Sequence, residues 1–522
     1  MSTDVQQHRS APLQAITAGP DFSRWLIPPA ALAVHMCIGQ VYASSVYRDA
    51  IQVHFEASHT AIGIIFSLAI VMLGLSAAFL GTWVDRNGPR RAMLASMVFW
   101  VSGFVIGSIG IFTSQLWLLY LGYGLLGGIG LGIGYIAPVS TLMKWFPDRP
   151  GMGTGMAIMG FGVGAMIASP LSAFFMNLYD GGAPAEGEVH SGQSVGLLFL
   201  TLAGLYAAMM LFGAWIVRVP APNWKPAGYD PDSSSKSSMI SQGNVTANTS
   251  LRTPQFWLLW VVLFTNVTAG IGILEQANPF VRDYFRGDDG STFVAAAAAA
   301  GFVAFLSLTN TLGRFVWAST SDKIGRKPIY MIYLGLGALM YVTLAAWGNT
   351  SMALFIVLTG VILSFYGGGF STIPAYLRDI FGTLEVGAIH GRLLTAWSAA
   401  GLVGPLIINS FLDRAGGDPG TLTADAWRPA LFAMVALLVV GFIANLLVRP
   451  VADRHHVENQ DGAQDESEDT EGAQEDEADA PKTGEPAPKP IVPVPVAWAI
   501  AGIPILYGLG YTFINGLQLF IG

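Results

Sequence analysis

Residues 120–138 read YLGYGLLGGIGLGIGYIAP, with seven glycines in nineteen positions. Gly122, Gly124 and Gly127 carry the G-x-G-x-x-G spacing of a dinucleotide-binding loop, which would make the chain an α/β protein. That fingerprint requires a strand–turn–helix setting. Here the glycines lie inside an apolar run instead. Small residues at i, i+4, such as Gly124/Gly128/Gly132 and Gly130/Gly134, let helix backbones approach closely in a membrane. The same composition recurs after the next loop, in Gly151, Gly153, Gly155, Gly160, Gly162 and Gly164. Two neighbouring helices with glycine faces suggest a tight sliding contact, with static packing as the alternative.

The rest of the chain agrees with the membrane reading. It is 52% hydrophobic and 11% charged, against about 25% charged residues in soluble domains. Such a chain cannot cover its surface with polar groups and must be solvated by lipid. The single cysteine, Cys37, can form neither an internal disulfide nor a cysteine-rich metal cluster. No cleavable signal peptide is expected, because residues 1–24 are polar and the first apolar run is long enough to stay in the membrane. Residues 452–490 hold 13 acidic and 3 basic residues, so the formal net charge of −8 belongs to that segment.

A crossing helix needs about 20 mostly apolar residues. Spans are predicted at 25–47, 61–83, 92–112, 116–138, 153–176 and 194–216, then at 255–281, 293–320, 329–348, 352–376, 388–411 and 427–448. The reading is a cytoplasmic tail (1–24), a six-helix bundle (25–217), a cytoplasmic loop (218–253) and a second six-helix bundle (254–450). A disordered acidic linker (451–490) and an additional transmembrane helix (491–522) follow. With the N-terminus cytoplasmic, the inner segments collect 20 of 26 basic residues and the outer loops five. That asymmetry predicts a multi-pass protein of the cytoplasmic (inner) membrane. Arg314 is left inside a span.

The loop after span two, GTWVDRNGPRR (81–91), has a counterpart after span eight, ASTSDKIGRK (318–327). Each has an aspartate at a helix end, a basic residue, a glycine turn and a basic pair. These are Asp85, Arg86, Gly88, Arg90 and Arg91 in the first, and Asp322, Lys323, Gly325, Arg326 and Lys327 in the second. Repeated halves mark transporters that rock around a central site, and charges at helix ends can latch one half to the other. Setting topology is the simpler reading. At these loops the chain resembles the major facilitator superfamily, whose signature is G-x-x-x-D-R-x-G-R-R. HMCIGQVYASSVY (35–47), residues 128–162 and NTLGRFVWASTSDKIGR (310–326) resemble its oxalate/formate antiporter family. The resemblance implies an all-α membrane protein, two six-helix bundles related by a pseudo-two-fold axis, and a secondary carrier of small carboxylates. The last segment resembles the family's small one-helix companion proteins.

An arginine inside a span costs about 2.5–3.5 kcal/mol on insertion scales and by default faces a cavity or a partner. Arg314 either snorkels to the interface or binds an anion, and no acidic residue embedded nearby in sequence neutralises it. A guanidinium matches a carboxylate with two parallel hydrogen bonds. The resemblance also implies an arginine at this place in span eight. Asn310, one turn earlier, either orients the guanidinium or ligand or bonds a neighbouring helix. Relatives that carry oxalate pair the arginine with a lysine in span eleven, where Trp397 stands here, so one cation and an aromatic wall suit a monocarboxylate. Tyr135 and Tyr366 fall where the family lines its cavity with aromatics, and Gln40 and Tyr42 lie in span one; packing is the alternative for each. His35 and Glu275 are the candidates for proton coupling, with a core role as the alternative for His35.

The expected function is alternating-access transport of a small monocarboxylate such as pyruvate, lactate or formate, by anion antiport. Oxalate/formate exchange, proton-coupled symport, drug or sugar export and carboxylate sensing are the alternatives. Neither H-E-x-x-H nor a pair of intramembrane aspartates occurs, so an enzyme ranks last. No cofactor and no metal is expected. The partners expected are small carboxylates and the bilayer, not nucleic acid; a monomer is possible, and the sequence leaves the oligomeric state open.

Overall fold

A computed structural model describes residues 16–19, 21–57, 59–182, 184, 189–221, 224–229, 240–241, 243–286, 294, 296–415, 422–457 and 492–521. Within them every regular element is a helix, apart from an isolated bridge between Thr17 and Val219. A helix satisfies its own backbone hydrogen bonds, which lipid cannot do for it. The acidic linker lies mostly outside the described residues, as does most of the N-terminal tail.

Eleven helices among the described residues are long and apolar enough to cross a membrane. With Ala296–Ile324 they form two sets of six. The first set is α1 (Arg24–Ala43), α2 (Ala61–Asn87), α3 (Pro89–Phe112), α4 (Leu116–Trp145), α5 (Pro150–Asp180) and α6 (Gly192–Ile216). The second is α7 (Pro254–Leu274), α8 (Ala296–Ile324), α9 (Arg326–Thr350), α10 (Met352–Phe381), α11 (Val386–Leu412) and α12 (Ala424–Leu447). A last helix, α13, runs over Val494–Ile521. Helix starts follow local chemistry: α3, α5 and α7 each open on a proline, whose missing N–H is an orphan there anyway. Gly88 and Gly325, at φ 82° and 92°, make the left-handed turns before α3 and α9, which only glycine adopts freely.

Two predicted spans are shorter than read. Span one was expected over 25–47 and span seven over 255–281. The chain instead tightens to 3₁₀ over Gln40–Ala43 and restarts as Ser45–Phe55, while Pro254–Glu275 is followed by a separate helix, Ala277–Tyr284. Both short helices carry charge among apolar residues (SVYRDAIQVHF and ANPFVRDY). Such amphipathic pieces suit the rim of a bundle better than its interior. The break falls at the same place in each half.

The opening glycines serve helix contacts. Gly124, Gly128 and Gly132 climb one face of α4 against Leu68, Met72 and Ser76 of α2. A Cβ on Gly128 would lie 2.7 Å from the Ala69 carbonyl oxygen, and one on Gly130 2.7 Å from the Trp100 amide nitrogen of α3. On α5, Gly160 and Gly164 press on α1, while Gly151, Gly155 and Gly162 press on α8. Only Gly153 of that group meets the end of α4, at Leu142 and at Phe146 just beyond it. The two glycine-rich helices therefore spend their glycines on other neighbours, not on a shared sliding face. The α5 contact with α8 joins the halves, as does that of α2 with α11. Helix α13 runs along α1, α5 and α8, with Ala497 and Ala501 buried and Trp498 Nε1 donating to the Trp25 carbonyl at 3.0 Å.

Candidate functional site

Arg314 lies in α8 and is 1% exposed. Its Nε donates to Asn310 Oδ1 at 3.4 Å, and its Nη1 to the Ile158 carbonyl of α5 at 3.0 Å. Nη2 has no hydrogen-bond partner. The guanidinium carbon lies 5.8 Å from the ring centre of Phe161 and 5.6 Å from that of Phe370, so one aromatic from each half flanks it. Cation–π contacts of this kind contribute about 0.5–2 kcal/mol. They leave the charge in place, and Nη2 without an acceptor.

Four of the predicted residues complete the surroundings. Trp397 of α11 packs on Phe370 at 4.6 Å, on Tyr135 at 5.5 Å and on Phe161 at 5.7 Å between ring centres. Tyr42 meets Phe161 at 5.4 Å, and Tyr366 meets Phe370 at 5.2 Å. The hydroxyls of Tyr42, Tyr135 and Tyr366 all lie within the electrostatic reach of Arg314. Those of Tyr42 and Tyr366 approach each other without reaching hydrogen-bond geometry. These three hydroxyls, Trp397 Nε1 and the Thr311 hydroxyl are buried without a partner. An orphaned buried polar group costs roughly 1–3 kcal/mol. Donors orphaned together around a guanidinium are groups that an anion with further acceptors can satisfy. Sequence reading missed Phe161, Phe370 and Thr311; nothing in their residue type separates them from ordinary membrane packing.

The remaining candidates do not bond the guanidinium. Gln40 donates to the Tyr47 hydroxyl at 2.8 Å and accepts from the Tyr123 hydroxyl at 3.2 Å, in a closed polar cluster of its own. His35 faces two carbonyl oxygens, Nδ1 toward Ala157 at 2.5 Å and Nε2 toward Tyr135 at 3.1 Å, and stacks on the Tyr135 ring. Glu275 ends its helix, and its side chain lies outside the described residues.

The repeated loops join the halves. Asp85 Oδ2 accepts the Ala388 N–H at 2.9 Å, at the start of α11. Asp322 accepts the Gly151 and Met152 N–H groups at 2.8 Å each, at the start of α5, and pairs with Arg326 at 2.6 Å. Each aspartate thus sits on the positive end of a helix dipole from the opposite half. Arg326 also holds Asp379 of α10 at 3.2 Å. Arg90 donates to the Ala214 and Trp215 carbonyls that end α6. Lys327 does the same for Leu446 and Val448 at the end of α12. Arg218, just beyond α6, is shifted down to about 10 by its burial and by Arg90. Arg86, Arg91 and Lys323 are exposed.

Comparison with known proteins agrees with this geometry. Residues 30–308 and 290–521 match the Major Facilitator Superfamily. The chain is 24% identical over 433 residues to the oxalate:formate antiporter of Oxalobacter formigenes, covering 82% of this chain and 93% of that one. It is 26% identical over 360 residues to the apicoplast pyruvate carrier 1 of Toxoplasma gondii, covering 60% and 63%. In structure it resembles the E. coli fucose:proton symporter FucP, with a TM-score of 0.58 at 14% identity over 82% of this chain and all of that one. Two six-helix sets, their repeated aspartate loops and these matches agree on one assignment: the chain is a multi-pass membrane transporter of the major facilitator superfamily.

Proposed function

We propose that the protein carries small monocarboxylates by alternating access, exchanging one anion for another, with the carboxylate held at Arg314. The observation that carries this is the unpartnered Nη2 of Arg314, buried among aromatic rings and orphaned donors. One guanidinium gives the cage a single fixed positive charge. The flanking rings of Phe161, Phe370 and Trp397 leave an apolar wall for a short carbon chain, and the tyrosine hydroxyls and Trp397 Nε1–H would meet a keto or hydroxyl oxygen. A 2-oxo or 2-hydroxy acid of pyruvate or lactate size fits that chemistry. The relatives named for oxalate, formate and pyruvate support the carboxylate class. The basic loops support a cytoplasmic position for the Asp85 and Asp322 end, and exchange needs no titrating group.

The test is counterflow in proteoliposomes loaded with unlabelled pyruvate, lactate, formate or oxalate, with the matching labelled acid outside. Uptake that depends on an internal monocarboxylate is expected. Arg314→Gln removes a buried charge whose loss costs roughly 3–5 kcal/mol of anion binding, so counterflow should fall by at least about a hundredfold. Full-rate transport by that variant would end the anion-site reading.

A further inference from the structure

Between the cage and the Asp85 contact lies a polar side chain that no role above uses. His390, in the helix Val386–Leu393, is 1% exposed, and neither ring nitrogen has a hydrogen-bond partner. Its ring centre is 5.9 Å from that of Tyr135, the ring that Trp397 packs against from the cage side. Tyr135 is therefore shared by the cage and by His390. A buried imidazole with both nitrogens orphaned is expensive, and a phenylalanine or leucine would fill the space without that cost.

His390 is covered by the opposite half, where Tyr135 of α4 packs near its ring and His35 of α1 lies within electrostatic reach. Two residues before His390, the Ala388 N–H donates to Asp85, and Gly387 is pressed against the same carboxylate. Parting the start of α11 from the first half breaks the Asp85–Ala388 bond and moves His390 away from α4 and α1. The ionisable groups facing it are known from each side. Tyr135 and His35 come from α4 and α1. Asp85 comes from α2, with Lys144 of α4 beside it. On its own element, Glu385 accepts the Ala247 N–H and Arg392 donates to Asn248. None of these carboxylates bonds the imidazole, so a proton taken up there would leave an uncompensated cation with two N–H donors.

We propose that His390 is a second, protonation-dependent anion contact, which meets a small carboxylate passing between Arg314 and the cytoplasm once the Asp85–Ala388 contact parts. This rests on the carrier reading and deepens it by adding a station on one side of the cage. An imidazolium pairs with a carboxylate through charge-assisted hydrogen bonds, so anion capture at that face strengthens as pH falls. The opposite face, separated from His390 by the cage, does not share the effect.

The experiment measures half-saturation for labelled pyruvate at each face of oriented proteoliposomes, at pH about 5.5 and about 8 on that face, a window centred on histidine titration. Pyruvate is fully ionised at both, so a change comes from the protein. In the wild type the cytoplasmic-face value should be about five times lower at the acid pH, with the other face flat. In His390→Phe and in His390→Gln the ratio between the two pH values should fall to near one, a readout that a general loss of rate or folding does not move. An unchanged ratio in both variants, or a wild type that counterflows pyruvate with no pH ratio at that face, overturns this proposal alone. A wild type that moves no pyruvate at either pH overturns the carrier reading and this proposal together.

Discussion

With one guanidinium at its centre, the proposed cage would hold charge for one carboxylate. That balance is open to change. Trp397 is buried against Tyr135, Phe161 and Phe370, and its Nε1 is unpartnered, so a lysine there would point its ammonium into the same space as Arg314. Two buried cations repel unless a dianion joins them. Trp397→Lys should therefore lower pyruvate counterflow by about tenfold and raise oxalate counterflow by a similar factor. Unchanged selectivity would remove Trp397 from the site. At this scale the sequence revealed Arg314 because a charge inside an apolar run stands out. Phe161 and Phe370 did not, being two of 30 phenylalanines in a chain that uses aromatics everywhere. His390 stayed hidden for a different reason: beside Arg392 it reads as the polar edge of a span, and only the fold buries it.

At the scale of the helix, a glycine's spacing was legible and its partner was not. Gly124, Gly128 and Gly132 spell a close contact in any membrane helix, yet only packing shows that they press on α2 within one half, while Gly155 presses on α8 in the other. The two kinds of contact should respond differently to one added methyl. Gly128→Ala drives a Cβ to 2.7 Å from the backbone of Ala69, overpacking a contact inside the rigid bundle, and should destabilise the fold by about 1–3 kcal/mol. A lower thermal midpoint of the purified protein checks it. Gly155→Ala places its Cβ 3.0 Å from the Arg314 carbonyl oxygen and 3.2 Å from Ala318 Cβ, across the seam that must open. Its thermal midpoint should change less than that of Gly128→Ala, while labelling of residues buried under the seam speeds up. A drop in midpoint equal to that of Gly128→Ala would make the α5–α8 contact as static as the α2–α4 contact. The breaks after α1 and α7 were illegible for a related reason: a charge near a span end reads the same whether the helix continues or restarts.

For the whole molecule, the repeat read from two loops extends to the contacts those loops make. Asp85 reaches the start of α11 and Asp322 the start of α5, so each half supplies one carboxylate to a helix of the other. Arg90 and Lys327 end the equivalent helices α6 and α12 in the same way. Helix α13 adds a single-sided element to this symmetric frame, lying on α1, α5 and α8 and so touching both halves at once. Two latches on one end make opening there a two-part event. Replacing each aspartate by asparagine keeps an acceptor and removes the charge, which at a partly buried helix start is worth up to about 2 kcal/mol. Asp322→Asn should have the larger effect, because Asp322 takes two N–H groups and Arg326, whereas Asp85 takes one. The sites share no partner, so their effects should add, and the double variant should open that end by up to about a thousandfold. Cys37 is the chain's only cysteine, so a Cys37→Ser background carrying Met143→Cys, a buried position on α4, reports the opening as a thiol-labelling rate. Each single variant should label faster than the background and the double faster than either. A double variant no faster than Asp322→Asn alone would mean that one latch holds the end shut and that Asp85 only sets topology.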